Sequence, residues 1–188
     1  MDNNINEKNI RNWQIGVSVF SIILGTILHF TYEWSNGNSF IAAFSSVNES
    51  TWEHLKLAFF PMLIACIVEY FFVKDKVNNY IEAKTIGIVT SILFITSFFF
   101  TYTGIIGTNF FIIDILTFIA GVLIGEYVAY RIMNKEDEST NLTKVLSVII
   151  LVVLCLYFVL FTFITPKINY FRDPVTGGFG RDLIEKDI

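Results

Sequence analysis

Five stretches of this chain are long enough and apolar enough to cross a bilayer, and that feature restricts the fold more than any motif does. A helix needs roughly 20 apolar residues to span the hydrocarbon core. Such runs fall at about residues 12–32, 50–73, 84–102, 108–131 and 145–165. The stretch 85–113 is uncharged throughout but too long for one span, and Tyr102-Thr103-Gly104 with Gly107-Thr108-Asn109 divide it. Pro166 closes the last run, and Pro61 predicts a kink in the second that neighbouring helices accommodate. The first run is longer than a signal-peptide core and lacks a cleavage site, so a retained helix is expected. Composition agrees: 16% of the residues are charged and twenty are Phe, whereas soluble domains carry about 25% charged residues. The expected architecture is an all-α polytopic transmembrane bundle over residues 1–166, followed by a tail over 167–188.

Lys and Arg in the connecting loops set the orientation. Lys8 and Arg11 precede the first span, Lys74, Lys76 and Lys84 follow the second, and Arg131, Lys135 and Lys144 follow the fourth. The loop between the first two spans has none before Lys56, and the turn between the third and fourth has none. This predicts a cytoplasmic N-terminus and a tail outside a cell membrane, although that tail carries Lys167, Arg172, Arg181 and Lys186. Cys66 and Cys155 sit within apolar runs and read as core residues. The aromatic ends of the outward-running spans, such as Phe30-Thr31-Tyr32 and Phe100-Thr101-Tyr102, fit a headgroup belt. Gly121 and Gly125 form a GxxxG pattern that admits close helix packing.

Ionisable residues at membrane depth are costly and mark candidate sites. Near the inner face, Glu69 is one turn from Lys74 and Glu126 one turn from Arg131, so snorkelling pairs are expected there. The outer face is richer, because the second span opens on Asn48-Glu49-Ser50-Thr51-Trp52-Glu53-His54-Leu55-Lys56. Ser50 and Glu53 fit a capping box, and Trp52 reads as an interface anchor. Capping leaves Glu49, His54 and Lys56 unexplained. At helical spacing Glu49, Glu53 and Lys56 share one face, and Ser50 and His54 the next. His29 near the end of the first span, Tyr102 and Asp114 complete the candidate outer cluster. Asp114 has no cation near it on its own span, so Lys56, His29 or His54 is its expected partner. In the tail, Tyr170-Phe171-Arg172-Asp173-Pro174 and Thr176-Gly177-Gly178-Phe179 combine turn signals with aromatics. That pattern predicts a segment folded over the outer mouth, with Arg172 near Glu49 or Glu53 and Asp173 beside it.

Several strings carry a resemblance: His29-Phe30-x-Tyr32-x-Trp34, then Val47-Asn48-Glu49-Ser50-x-Trp52-Glu53-His54-x-Lys56 with Phe60-Pro61 and Glu69-Tyr70. Tyr102-Thr103-Gly104 and Phe171-Arg172-Asp173-Pro174-Val175-Thr176-Gly177 extend them. In these the chain resembles an uncharacterised family of small bacterial multi-span membrane proteins, a domain of unknown function. The resemblance covers nearly the whole chain and implies the multi-span architecture. It implies no activity.

Three function classes follow. The polar cluster ties helix ends together in an accessory or structural membrane protein, or it captures a small ligand from outside. Alternatively, His29, His54, Asp114 and either Glu49 or Glu53 hold a metal for a membrane-embedded hydrolase acting on a lipid or envelope substrate. The cofactor is left open beyond those metal candidates. Expected partners are the lipid bilayer and a second copy or another membrane protein. No Gly-rich nucleotide loop, nucleophile motif or basic nucleic-acid stripe is present.

Overall fold

The computed structural model describes residues 2–77, 79–135 and 139–181, with side chains from Lys8 onward. Residues 182–188 of the predicted tail, Lys186 among them, lie outside the described residues. The elements are α1 (Asp2–Trp34), a one-turn α2 (Ser39–Ala42), α3 (Thr51–Val73), α4 (Tyr80–Ile106), α5 (Phe111–Met133) and α6 (Asn141–Phe163). A 3-10 turn, Asn169–Phe171, follows. The described residues contain no strand, only an isolated antiparallel bridge between Arg172 and Phe179. Five helices, all but α2, are long and apolar enough to cross a membrane. Helices are what such segments must form, because every backbone N–H and C=O is then satisfied within its own segment.

Local chemistry sets the helix ends. α4 runs through Tyr102-Thr103-Gly104 and stops only where Gly107 turns left-handed at φ 87° and donates its N–H to Thr103 O at 2.8 Å. One glycine inside a helix weakens it, whereas a left-handed glycine caps it, so Gly107 is the stop and Gly104 is not. α6 opens on a reciprocal box: Thr143 N–H donates to Thr140 Oγ1 at 3.1 Å, and Thr140 N–H to Thr143 Oγ1 at 2.9 Å. Pro61 lies inside α3, which continues on both sides of it.

α3 is the central helix and packs against α1, α4, α5 and α6. Its most apolar stretch is 61% buried, against 17–33% in the other four spans. Leu55, Ala58, Phe59 and Met62 on α3 meet Ile88 and Ile95 of α4, Val122 of α5 and Phe158 of α6 in the main core. α6 is the most apolar span, with mean hydropathy 3.0, and also the least buried, at 17%. A soluble helix would bury its apolar side; an exposed, uniformly apolar one is solvated by lipid tails.

α4 and α5 pack closely where Gly87 and Gly125 face each other. A Cβ on either would lie 2.6 Å from the other's carbonyl oxygen. The GxxxG pattern therefore serves packing within the bundle. Gly125→Ala should lower the stability of the detergent-solubilised protein by about 1–3 kcal/mol, read as a drop in the thermal midpoint. Gly16→Ala is the control, because nothing lies within 4 Å of a Cβ there, and it should cost nothing.

Candidate functional site

Three polar clusters stand out among the ionisable residues of the bundle, and two of them are closed. The first joins the α3/α4 end of the bundle. Lys84 Nζ donates to Glu69 Oε2 and Glu126 Oε2, both at 2.6 Å, and to Gln14 Oε1 at 2.8 Å. Gln14 donates in turn to Glu69 Oε1, and Tyr80 OH lies 2.8 Å from Cys66 O and 3.0 Å from Glu69 Oε2. All five side chains are buried. The expected partners of the two glutamates are corrected here. Lys74 lies over the Tyr70 ring and Arg131 on Tyr127, while Lys84, counted in the sequence as a loop charge, lies within α4 and reaches inward. Its position one turn into the helix, on the face of Tyr80 and Gly87, was the available signal.

The second cluster lies at the opposite end. Ser50 caps α3 by accepting from Glu53 N–H at 3.4 Å, but Glu53 does not close the box on Ser50. Its carboxylate accepts from Lys56 Nζ at 2.5 Å, from Val47 N–H at 3.1 Å and from Thr162 Oγ1 of α6 at 3.2 Å. Asn48 Oδ1 takes the Ser50 N–H instead, at 2.8 Å. Lys56 is fully buried and donates also to Ala42 O and Thr162 Oγ1, both at 2.8 Å. An ammonium has three donors; those of Lys56 and Lys84 are all used.

The tail closes over this same end. Asn48 Nδ2 donates to Gly180 O at 3.0 Å. Gly180 is left-handed at φ 61°, with Thr165 Oγ1 only 2.3 Å from where a Cβ would stand, so a side chain there is strained and must displace Thr165. Trp52 packs in an aromatic nest of Phe158, Phe161, Tyr170 and Phe171 rather than standing at the surface. Burial there pushes the Tyr170 phenol above its usual range. Arg172 does not reach Glu49 or Glu53; its Nε donates to Gly177 O at 3.3 Å within the tail. The tail's clamp is Arg181, a residue the sequence reading passed over. It donates to Ser39 Oγ at 2.9 Å and to Tyr32 OH and Gly37 O at 3.3 Å. Asp173 is buried and holds the turn by accepting from Val175 N–H at 2.8 Å and Thr176 Oγ1 at 2.9 Å, the Asx geometry that Asp-Pro turns favour.

Asp114 also finds a local partner. It sits in the first turn of α5 and accepts from Tyr102 OH and, at 2.8 Å, from Asn109 Nδ2. A carboxylate there is favoured by the positive end of the helix dipole. No hydrogen bond or ion pair joins it to Lys56, His29 or His54 among the described residues.

The third cluster is open. His29 of α1, Glu49 in the loop before α3 and His54 of α3 converge, with donor atoms all within 4.8 Å of one another. His54 Nε2 lies 3.4 Å from Glu49 Oε2 and His29 Nε2 3.9 Å from Glu49 Oε1. The far side of each ring is fixed: His54 Nδ1 is 3.0 Å from Ser50 O, and His29 Nδ1 is 3.2 Å from Ser46 Oγ. The side chains of His29, His54 and Glu49 are 25%, 37% and 49% exposed. Contact with the His54 ring holds the Glu49 carboxyl below its ordinary range, reinforced by the electrostatics of both imidazoles and opposed by partial burial. Of the metal candidates read from the sequence, His29, His54 and Glu49 meet here, while Glu53 and Asp114 lie elsewhere.

A family of unknown function, DUF6512, matches residues 1–181, and the chain belongs to it. No curated protein and no solved structure matches the chain.

The closed clusters should behave as structure. Lys56→Met and Lys84→Met each strand buried carboxylate and should cost about 3–5 kcal/mol, seen as a large fall in the thermal midpoint. Thr162→Val, which removes one hydroxyl from the Glu53–Lys56 pair, should cost about 1–3 kcal/mol.

Proposed function

We propose that this member of the family is a multi-pass membrane protein that captures a small charged ligand at its His29–Glu49–His54 rim, on the extracytoplasmic side of the cell membrane. The observation that carries this reading is the contrast between clusters. The Lys56 and Lys84 networks spend every ammonium donor internally and exclude solvent. The rim trio is half-exposed, and its imidazole Nε2 atoms face a carboxylate at 3.4 and 3.9 Å rather than a good hydrogen-bond geometry. A saturated polar network rigidifies a fold; an unsaturated, solvent-facing one has capacity left for a ligand.

A hydrolytic reading finds less support. Glu53 and Asp114 are engaged by Lys56 and Thr162 and by Tyr102 and Asn109, which leaves Glu49 beside the two histidines with no second carboxylate of the candidate set to act as base there. A base must be in reach of the proton that it takes.

The orientation rests on the positive-inside rule. With Lys84 internal, Lys74, Lys76, Arg131, Lys135 and Lys144 still gather at the α3/α4 and α5/α6 connections, and Lys8 and Arg11 at the same end. In a chain with Cys66 and Cys155 replaced by Ser, Val175→Cys should react with an impermeant maleimide on intact cells. Asn141→Cys should react only after permeabilisation; the reverse pattern rejects the orientation.

Ligand capture is testable without knowing the ligand. The purified chain is screened by thermal shift against zinc, nickel, calcium, phosphate, phosphocholine and phosphoethanolamine. At least one should raise the midpoint of the wild type and leave His54→Ala and Glu49→Gln unmoved. A panel without effect would make the rim a structural feature.

A further inference from the structure

We propose that the ligand of the rim is a divalent transition-metal ion of the zinc class, bound by His29 Nε2, His54 Nε2 and the Glu49 carboxylate; this rests on the ligand-capture reading above. Ligand chemistry narrows the choice first. An anion, whether free phosphate or a lipid phosphate, would meet the Glu49 carboxylate at the centre of the site. The cations expected to hold it are engaged elsewhere: Lys56 is fully buried with three acceptors, and Arg172 is turned onto Gly177 O. Calcium and magnesium prefer shells of oxygen ligands. Two imidazoles with one carboxylate suit zinc and its first-row neighbours.

Geometry supports the same choice. Around a tetrahedral zinc with bonds of about 2.0–2.1 Å, ligand atoms stand roughly 3.3 Å apart. The donor atoms are already 3.4 and 3.9 Å from the carboxylate, and no pair exceeds 4.8 Å. Small side-chain rotations bring them to bonding distance. The rings are held with their centroids 5.3 Å apart and an interplanar angle of 31°.

The far ring nitrogens complete the argument. Ser50 O, 3.0 Å from His54 Nδ1, can only accept a hydrogen bond. In the neutral ring Nδ1 therefore carries the hydrogen, and Nε2 presents its lone pair to the site. Ser46 Oγ is placed to do the same for His29 at 3.2 Å. Metal-ligating histidines are generally oriented by such a partner on the other nitrogen. Three protein ligands leave the fourth position of a tetrahedral ion to water or an incoming group, an open coordination that purely structural zinc sites lack.

The test uses the full chain in lipid nanodiscs after removal of metal by chelation. Zinc should bind once per chain by calorimetry, and cobalt should give the intense visible bands of tetrahedral coordination. His29→Ala, His54→Ala and Glu49→Gln should each abolish the cobalt bands and weaken zinc by about a hundredfold. Ser46→Ala, which removes the partner of His29 Nδ1 and a hydroxyl bonded to His29 O, should weaken it by about tenfold. Asp114→Asn should leave it unchanged. The thermal midpoints of the metal-free variants establish that each is folded. Absence of zinc binding, or binding that survives both His54→Ala and Glu49→Gln, overturns the assignment. If zinc fails while another charged probe stabilises the wild type through the same residues, ligand capture stands and only the metal identity falls. If every probe fails, both fall.

Discussion

A lysine ammonium taken out of water must replace its hydration shell with acceptors, and this bundle does so twice. Each buried ammonium has three donors, and each finds three acceptors on different segments. Lys84 gathers α1, α3 and α5 onto α4 through Gln14, Glu69 and Glu126. Lys56 gathers α2 and α6 onto α3 through Ala42 and Thr162, with Glu53 on its own helix. In a medium where apolar contact between helices differs little from contact with lipid, apolar burial supplies small driving force. Directional bonds of this kind, together with the close Gly87–Gly125 approach, then specify which helices meet and in what register.

The second lysine also builds the rim. By holding Ala42 O, it draws the 39–50 segment against the top of α3, and Glu53 takes Val47 N–H from the same segment. Glu49 follows two residues later and is delivered between His29 and His54. The tail then covers the neighbouring face through Asn48, Trp52 and Arg181. The open cluster is thus supported from below by a closed one. Preorganisation of this sort lowers the cost of ordering ligand groups on binding.

What the sequence made legible was what depends on local pattern. The five spans follow from length and hydropathy, the Ser50 cap from its spacing, and the two cysteines from their apolar surroundings, where both remain free thiols. Partner choice was legible only in part. Glu69 and Glu126 had cations one turn away on their own helices, and neither uses them, because a residue facing the bundle centre cannot also reach the interface. Lys84 meets Gln14 and Glu126 at separations of 70 and 42 residues, which no local spacing encodes. Asp114 failed for the opposite reason. A distant cation was sought for it, while Tyr102 and Asn109 across the short α4–α5 turn suffice. Glu49 was legible only as an alternative to Glu53 for the carboxylate beside the two histidines. Its position in a loop hides it from helical-face reasoning, and only the fold of the 39–50 segment shows which way it turns.

The division between closed and open clusters has a thermodynamic reason. A site that exchanges its ligand must give up and regain solvation at low cost, which a fully buried carboxylate cannot do, because breaking its pair strands a charge in a medium of low dielectric. Glu53 and Glu69 are therefore poor candidates for reversible chemistry despite lying among the most polar surroundings in the protein. Glu49 lies in the loop at the bundle end with about half of its side chain exposed, where water compensates whatever the ligand leaves behind. The rim thus combines two properties that the interior cannot: ring orientations fixed from behind by protein atoms, and donor atoms facing solvent in front.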